Sequence, residues 1–315
     1  MPEELLFPVF NPMNAVEKTR KLKEKAQSLG FELFGATPAV PLSHYSDFLN
    51  WLSKGYAGEM SYLERRKEER GDPQKILSGA KSLFCVGLSY NPSPEYYPLL
   101  EKNPISCYAW GQDYHEVVME KLQGLADYWQ TELEPGIQVK AYVDTGPIFE
   151  KDYAAAAGLG WIGKNTLLLN KKFGSFLFLG ELITDAELAY DEPAENLCKT
   201  CTACIDACPV NALEEAGVLN ATKCISYLTL EHRSDLPENT QLHGYLAGCD
   251  LCQTACPYNV HAPQGQEPAF QPRPEVLRLS RDNAVMSQPE FKQFTQNSAL
   301  ERIKYPMWQR NLRSH

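Results

Sequence analysis

The sequence has no long hydrophobic run and no basic segment ahead of an apolar one at its start. Its best apolar run, Phe176–Leu179, is soon interrupted by Glu181, whereas a membrane-spanning helix needs roughly 18 apolar residues in succession. The first residues, MPEELLFPVF, carry acidic charge, where a secretory signal would begin with basic residues. These absences predict a cytoplasmic protein with no membrane partner.

The phosphate-binding loops of common nucleotide-binding folds are also lacking. There is no Walker loop, and the glycines of residues 158–163 follow a helical AAAA run rather than a strand. A Rossmann dinucleotide site is therefore not expected. Repeats of fixed period and low-complexity tracts are absent, and a content of 43% hydrophobic and 22% charged residues is typical of a globular protein.

Basic side chains are outnumbered along the chain. Lys and Arg total 30 against 40 Asp and Glu, which gives a formal net charge of −10. Such a field repels phosphate and, taken alone, argues against a nucleic-acid partner. Only residues 266–315 are locally basic, so an RNA-binding surface would be expected there, on Arg302, Lys304, Arg310 and Arg313.

The hydrophobic periodicity predicts a mixed fold of helices and strands. A length of 315 residues suits one large and one small domain. We expect an α/β sandwich that ends near residue 190, at the polar junction ELAYDEPAEN, and a second unit that begins at Cys198. The clearest segments are helices at 14–29 and 113–133 and strands at 31–36, 82–90 and 137–143.

The cysteines provide the strongest signal in the chain. Ten cysteines would suggest disulfides in a small secreted protein, but this chain is large enough to fold around an apolar core, and its cysteines are clustered. The run CKTCTACIDACP has the bacterial ferredoxin spacing C-x2-C-x2-C-x3-C-P. It supplies Cys198, Cys201, Cys204 and Cys208.

A second group of cysteines completes two sets of four. CDLCQTACP supplies Cys249, Cys252 and Cys256, and Cys224 stands between the groups. In two-cluster ferredoxins the fourth cysteine of a run binds the other cluster. We therefore predict one 4Fe-4S cluster on Cys198, Cys201, Cys204 and Cys256, and another on Cys208, Cys224, Cys249 and Cys252.

Two structural zinc sites are the alternative for these eight cysteines, because C-x2-C pairs also bind zinc. The two C-x3-C-P crossovers and the apolar spacers Ile205, Ala207 and Val210 favour clusters. Cys85, in a predicted strand, is expected to be a small buried apolar residue. Since paired clusters transfer single electrons, the first domain should hold the centre that receives them.

Four further strings carry a family resemblance. They are VDTGPIFEKDYAAAAGLGWIGKNTLLLN at 143–170, ISCYAWGQDYH at 105–115, KCISYLTLEHR at 223–233 and the ferredoxin run. Together they resemble the epoxyqueuosine reductase family, in one collinear order over about residues 15–312. The resemblance implies a cobalamin-dependent enzyme that reduces epoxyqueuosine to queuosine at the wobble position of tRNA.

The resemblance also implies an α+β architecture and partners. It predicts a nitroreductase-like domain that binds base-off cobalamin (residues 1–190), a ferredoxin-like domain with two 4Fe-4S clusters (191–265) and a C-terminal helical tail (266–315). The expected electron donor is a flavodoxin or a ferredoxin. The sequence departs from the family at Lys151, where an arginine is expected, and it lacks the helical-repeat domain of longer members.

The resemblance assigns roles to residues of the first domain. Asp144 matches the family's proton-donating aspartate; from the residues alone, a turn aspartate was the simpler interpretation. Its side chain would need to keep a proton near neutral pH. His115 could orient substrate or make a core hydrogen bond. The predicted cofactor-binding residues are Lys67, Cys107, Asp144, Lys164, Asn165, Thr166, Ser226 and Tyr227.

Two other functions remain open at this point. A corrinoid reductive dehalogenase of small organic molecules would share the cofactors, but such enzymes usually carry a twin-arginine signal, which MPEELLFPVF does not show. A simple electron carrier would leave the large first domain and Asp144 without a role. Cobalt with corrin absorption bands would separate the enzymes from the carrier.

Overall fold

The computed structural model describes residues 13–314. The strands within them are β1 (Leu33–Pro38), β2 (Ser82–Ser89), β3 (Val139–Tyr142), β4 (Trp161–Ile162), β5 (Leu168–Leu169), β6 (Leu177–Thr184), β7 (Leu213–Glu215) and β8 (Val218–Leu219). The α-helices are α1 (Ala15–Ser28), α2 (Tyr45–Ser53), α3 (Ser61–Arg65), α4 (Lys67–Gly71), α5 (Tyr114–Tyr128), α6 (Glu150–Ala156), α7 (Ala203–Asp206), α8 (Ile225–Leu230), α9 (Leu251–Thr254), α10 (Pro257–Val260), α11 (Pro274–Leu277), α12 (Gln288–Thr295) and α13 (Tyr305–Arg313).

A four-stranded antiparallel sheet lies within residues 33–184. Its strand order is β1-β2-β6-β3, so β6 pairs with β2 on one side and β3 on the other. Helices cover both faces, and every residue of β2 is buried. Strands covered on both faces read as continuous apolar runs, which is why SLFCVGLSY was recognisable as a buried strand.

Alternate residues of β2 belong to two separate cores. Leu83 and Cys85 pack with residues of α6, while Phe84 and Val86 pack with α5 and α1 on the opposite face. Side chains alternate across a strand, so one strand serves both cores. The predicted sandwich and the burial of Cys85 are thereby confirmed.

The two long helices lie where the periodicity predicts them. The side chain of Asn14 accepts the N–H of Glu17 at 2.9 Å and caps α1, and Gly30 follows the helix with φ of 92°. A glycine there relieves the strain of a left-handed residue. The second predicted helix is α5, which continues as a π-helical turn over Trp129–Leu133.

The cysteine-rich segment is built from short elements around a small core. Helices α7 and α9 each contain one clustered cysteine, two more cap α8 and α10, the other four lie in the connecting loops, and the hairpin of β7 and β8 packs among them. The core beneath them includes Ile225 and Leu228 of α8 together with Leu242 and Tyr245. Because so few residues fold regularly here, the cysteine positions depend on turns and caps as much as on helices.

The C-terminal segment packs against the rest of the chain. Trp308 of α13 is fully buried in the same core as Leu22 of α1. Arg310 is 7% exposed, and its guanidinium donates to the carbonyls of Leu228, His232 and Ser234. The expectation that Arg310 contributes to a basic RNA surface is therefore wrong, because its guanidinium is buried and hydrogen-bonded to backbone carbonyls.

None of the helices in residues 13–314 combines the length and apolar character needed to cross a bilayer. The acidic start of the sequence, from which the absence of a secretory signal was predicted, lies outside the described residues.

Candidate active site and cluster-binding sites

The first predicted set of cysteines lines one cavity. Cys198, Cys201 and Cys204 come from the loop before α7 and from α7 itself, and Cys256 is the N-cap of α10. The cavity has a volume of about 320 Å³ and is also lined by Lys164, Asn165, Leu169, Pro257 and Tyr258. We call it the cluster cavity. It brings together residues more than fifty positions apart, as the crossover rule expects.

The cysteines of the second predicted set also lie close to one another. Burial, together with the neighbouring Cys224 and Cys208, raises the pKa of the Cys249 thiol to about 12. Burial likewise raises the pKa of Cys252, with Cys249 and Cys224 next to it. Neighbouring thiolates repel one another, so a cation is needed to hold them together in the ionised form.

The thiols are not arranged around single ions. Within residues 13–314, no three His, Cys, Asp or Glu side chains are placed to hold one metal ion. A structural zinc site needs four ligand atoms at about 2.0–2.3 Å from one ion. An iron–sulfur cubane spreads its four cysteines around a larger core than a single ion does.

Hydrogen-bond donors point at the sulfur atoms. The indole N–H of Trp161 lies 3.4 Å from Cys198 Sγ, and the backbone N–H of Ala212 lies 3.3 Å from Cys208 Sγ. Donors of this kind stabilise negative charge on thiolate ligands and tune the cluster potential. The residues present therefore fit two clusters by number, grouping and surroundings.

A larger cleft opens beside the cluster cavity. Its volume is about 730 Å³, which lies within the roughly 300–1,000 Å³ of ordinary small-molecule pockets. One wall is aromatic: Tyr114 stacks on Phe178 with ring centroids 4.2 Å apart, and Tyr90 stacks on Phe178 at 4.3 Å. The charged residues of the lining are Arg70, Asp144, Glu150, Lys151, Asp152, Glu231 and Arg302.

Residues 164–167 separate the cleft from the cluster cavity. Lys164 and Asn165 line the cavity, whereas Leu167 lines the cleft. Thr166 has a φ of 65°, and its carbonyl oxygen accepts a hydrogen bond from Lys151 Nζ at 2.7 Å. This short wall places the cleft and one set of cysteines on the two sides of the same segment.

Asp144 stands in the cleft just after β3, with φ of 55°. Its Oδ2 atom lies 3.2 Å from Nε2 of His115 and 3.8 Å from Nη1 of Arg302. His115 is held from its other side, with Nδ1 at 2.7 Å from Asp113 Oδ1. An aspartate in the left-handed region that contacts a histidine is more constrained than a simple turn residue.

The proton of this group lies on His115. Burial pushes the pKa of Asp144 upward, but the hydrogen bond and charge of His115 and the charge of Arg302 outweigh it and hold the pKa below its ordinary value. Burial lowers the pKa of His115, yet the two aspartates overcome that and raise it to about 9. The expectation of a protonated Asp144 at neutral pH is therefore wrong for this geometry.

Several predicted cofactor contacts point elsewhere. Lys67 Nζ lies 3.6 Å from Glu64 on the surface and is not part of the cleft lining. Lys164 Nζ donates to the Lys199 carbonyl, and Asn165 faces the cluster cavity, so neither side chain lines the cleft. Thr166 contributes its backbone carbonyl to Lys151 rather than a side-chain contact.

The remaining three candidates are packed outside the cleft lining. Cys107 is buried, and its N–H donates to Asp250 at 2.7 Å. The Tyr227 hydroxyl accepts the N–H of Glu59 at 2.7 Å, and Ser226, half-buried, lies beside it in α8. These positions fit structural roles near the cysteines better than direct contacts in the cleft.

Sequence reasoning missed Arg70 and Glu231 of the cleft, and it assigned Arg302 to an RNA-binding surface rather than to this site. Arg70 donates to the Ile148 carbonyl at 3.3 Å, and Arg302 pairs with Glu231 at 2.5 Å. Arg70 sits in the charged run RRKEER, which is typical of an exposed helix face. Local pattern alone contains no signal for these residues, because it is the fold that directs them inward.

Comparison with known proteins identifies the family. A family model described as epoxyqueuosine reductase QueG, DUF1730, matches residues 70–145, and a 4Fe-4S double cluster binding domain model matches residues 197–259. An epoxyqueuosine reductase of Gloeobacter violaceus is 42% identical over 304 residues, covering 93% of this chain and 94% of the relative. The chain belongs to the epoxyqueuosine reductase family.

Solved structures of epoxyqueuosine reductases agree with that membership. One, in complex with a tRNA-Tyr epoxyqueuosine-modified stem loop, has a TM-score of 0.85 at 32% identity over 95% of this chain and 80% of that chain. Another, from Bacillus subtilis, has its catalytic aspartate loop swung out of the active site; its TM-score is 0.84 at 31% identity, over 95% and 81%. The chain is thus an oxidoreductase, and the model for double-cluster binding spans all eight clustered cysteines.

Proposed function

We propose that the chain reduces epoxyqueuosine in tRNA to queuosine, with cobalamin in the cleft and electrons supplied through two 4Fe-4S clusters. The observation that carries the proposal is the wall at residues 164–167, which has the cluster cavity on one side and the cleft with Asp144 on the other. An electron entering at the clusters would need to cross only this segment. A simple electron carrier would need no such cleft.

The cleft fits a large, flat, amide-bearing cofactor such as base-off cobalamin. Tyr114 and Phe178, stacked on each other with ring planes 3° apart, contribute aromatic surface to the lining. Nε of Arg70 is buried without a hydrogen-bond partner among the described residues, so it could donate to a carbonyl of the cofactor. When bound, cobalamin would supply the reducing centre. Lys151 keeps the charge of the family's arginine without its forked geometry.

The units of the chain follow from this assignment. We assign residues 1–190 to a nitroreductase-like domain that binds cobalamin, 191–265 to the ferredoxin-like domain and 266–315 to the helical tail. The exposed Cys201 in the cluster cavity marks a side where a flavodoxin or ferredoxin could deliver electrons. A tRNA substrate is consistent with a cytoplasmic location.

The Asp144–His115 pair would deliver a proton to the epoxide oxygen. Loss of that oxygen as water consumes two electrons and two protons. The pair stores a proton on His115, and Asp144 can pass it into the cleft while the histidine becomes neutral. Arg302, 3.8 Å from Asp144, stabilises the carboxylate between turnovers.

The test is Asp144→Asn in anaerobically reconstituted protein. Asn keeps the shape and cannot relay the proton, so single-turnover queuosine formation should fall by about 10²- to 10⁴-fold. Iron, sulfide, cobalamin and tRNA binding should remain near those of the parent. Mass spectrometry of nucleosides from an epoxyqueuosine-modified stem loop provides the measurement.

Asp185→Asn is the matched control, because Asp185 accepts the N–H of Gln138 at the opposite end of β3. It should react at the parent rate. An Asp144→Asn variant that also reacts at the parent rate, with its cofactors intact, would show that the proton comes from another group. A parent protein that binds no cobalamin would refute the assignment of the cleft.

A further inference from the structure

A pair of buried carboxyl groups lies beneath the cleft. Glu181, in the middle of β6, is fully buried, and neither of its carboxylate oxygens has a hydrogen-bond donor among the described residues. Glu150, the first residue of α6, lines the cleft next to it. Two ionised carboxylates in this position would repel each other strongly, so one proton between them is the stable arrangement.

The pair is also connected to Asp144. One carboxylate oxygen of Glu150 accepts the backbone N–H of Asp144. Glu181 lies behind Glu150, within the sheet, opposite Cys85 of β2 and Tyr142 of β3 in the strand register. A continuous line of carboxyl groups therefore runs from the interior of the sheet through Glu150 to the loop that carries Asp144.

Resting on the function proposed above, we propose that Glu150 and Glu181 share the second proton that the reaction consumes, and that Glu150 delivers it to the cleft. The Asp144–His115 pair stores one proton, and removal of the epoxide oxygen as water requires two. Both protons would then be present before the electrons arrive, and solvent would restore them afterwards. Glu181 acts through Glu150 and is a positioning residue.

The titration behaviour supports this geometry. Burial and the charge of Asp144 raise the pKa of Glu150 to about 8, and burial with the neighbouring Glu150 raises that of Glu181 well above its ordinary value. The phenol groups of Tyr62 and Tyr108, which also line the cleft, are poor proton donors, since burial raises the pKa of both. The charged or titratable groups that face the pair are Asp144, Lys151, Arg70, Tyr114 and Cys85.

The stability of the protein without substrate gives the first readout. A carboxyl whose pKa is raised by folding stabilises the folded state at low pH, and this contribution is lost as pH rises from about 4.5 toward about 8. Glu181→Gln should remove the share of this loss that comes from Glu181 itself, whose pKa is raised well above its ordinary value. Its urea midpoint should therefore exceed the parent's at pH 8 and differ little at pH 5. Glu120→Gln, at an exposed glutamate of α5 outside the cleft, is the control for loss of a carboxyl elsewhere.

The second readout is single-turnover queuosine formation by Glu150→Gln. The amide oxygen can still accept the Asp144 N–H, but the side chain cannot release a proton, so the rate should fall about 100-fold or more. Glu120→Gln should react as the parent does. An equal rate for Glu150→Gln and the parent, or parallel stability curves for Glu181→Gln and the parent, would overturn the proposal. A parent that forms no queuosine would refute the proposed function, while the stability curves would still decide whether the buried carboxyl pair holds a proton near neutral pH.

Discussion

Arg310 of α13 allows a direct test of how the C-terminal segment supports the cluster-binding part of the chain. Its guanidinium donates to the carbonyls of Leu228 at 2.7 Å, His232 at 2.8 Å and Ser234 at 2.5 Å, and it is 7% exposed. These carbonyls lie in α8 and just after it, in the segment that follows the cluster ligand Cys224. Arg310→Met keeps the length of the apolar stem and removes every one of these donors.

The magnitude follows from the hydrogen bonds and the burial. Each hydrogen bond from a charged donor contributes about 1.5–3 kcal/mol, and the carbonyls left without a donor lose further stability. Removing a buried charge recovers part of this, because burial opposes ionisation and lowers the pKa of Arg310. We expect a net loss of about 3 kcal/mol in the free energy of unfolding.

Urea unfolding with parallel iron and sulfide analysis measures the effect. Arg313→Met is the matched control, since Arg313 belongs to the same helix and is exposed. The Arg310 variant should unfold at lower urea and lose the cluster bound by Cys224 first, whereas the control should match the parent. Equal urea midpoints for the two variants would refute the reasoning. They would indicate that the hydrogen bonds of Arg310 contribute no more to stability than the exposed side chain of Arg313 does.

Two further predictions concern protons and clusters. Folding raises the pKa of His115 from 6.5 to about 9, so the stability that it contributes is complete below pH 6.5 and is lost as pH rises through about 9. The variant His115→Gln should lack this decline in urea titrations. An unchanged decline would show that the pair with Asp144 does not form. Cys204→Ala and Cys208→Ala should each impair a different cluster, as followed by iron content and electron paramagnetic resonance, and loss of the same signal from both would contradict the crossover assignment.

Sequence alone determined the parts of this protein whose signal is local. The spacing of Cys198, Cys201, Cys204 and Cys208 predicted cluster chemistry, because three thiolates on one loop are needed for a cubane. Apolar periodicity predicted the long helices and the buried strands to within a few residues. Neither inference depends on which distant segments meet.

The tertiary structure decided what depends on distant contacts. It directs Arg70 into the cleft and leaves Lys67 on the surface beside Glu64, although both belong to the charged run RRKEER, and it buries Arg310 within the fold. It also decides that His115, and not Asp144, is the protonated residue of the pair, because a pKa depends on the groups that lie nearby in space. The carboxyl pair of Glu150 and Glu181, 31 positions apart in sequence, exists only because α6 packs on the sheet beside β6.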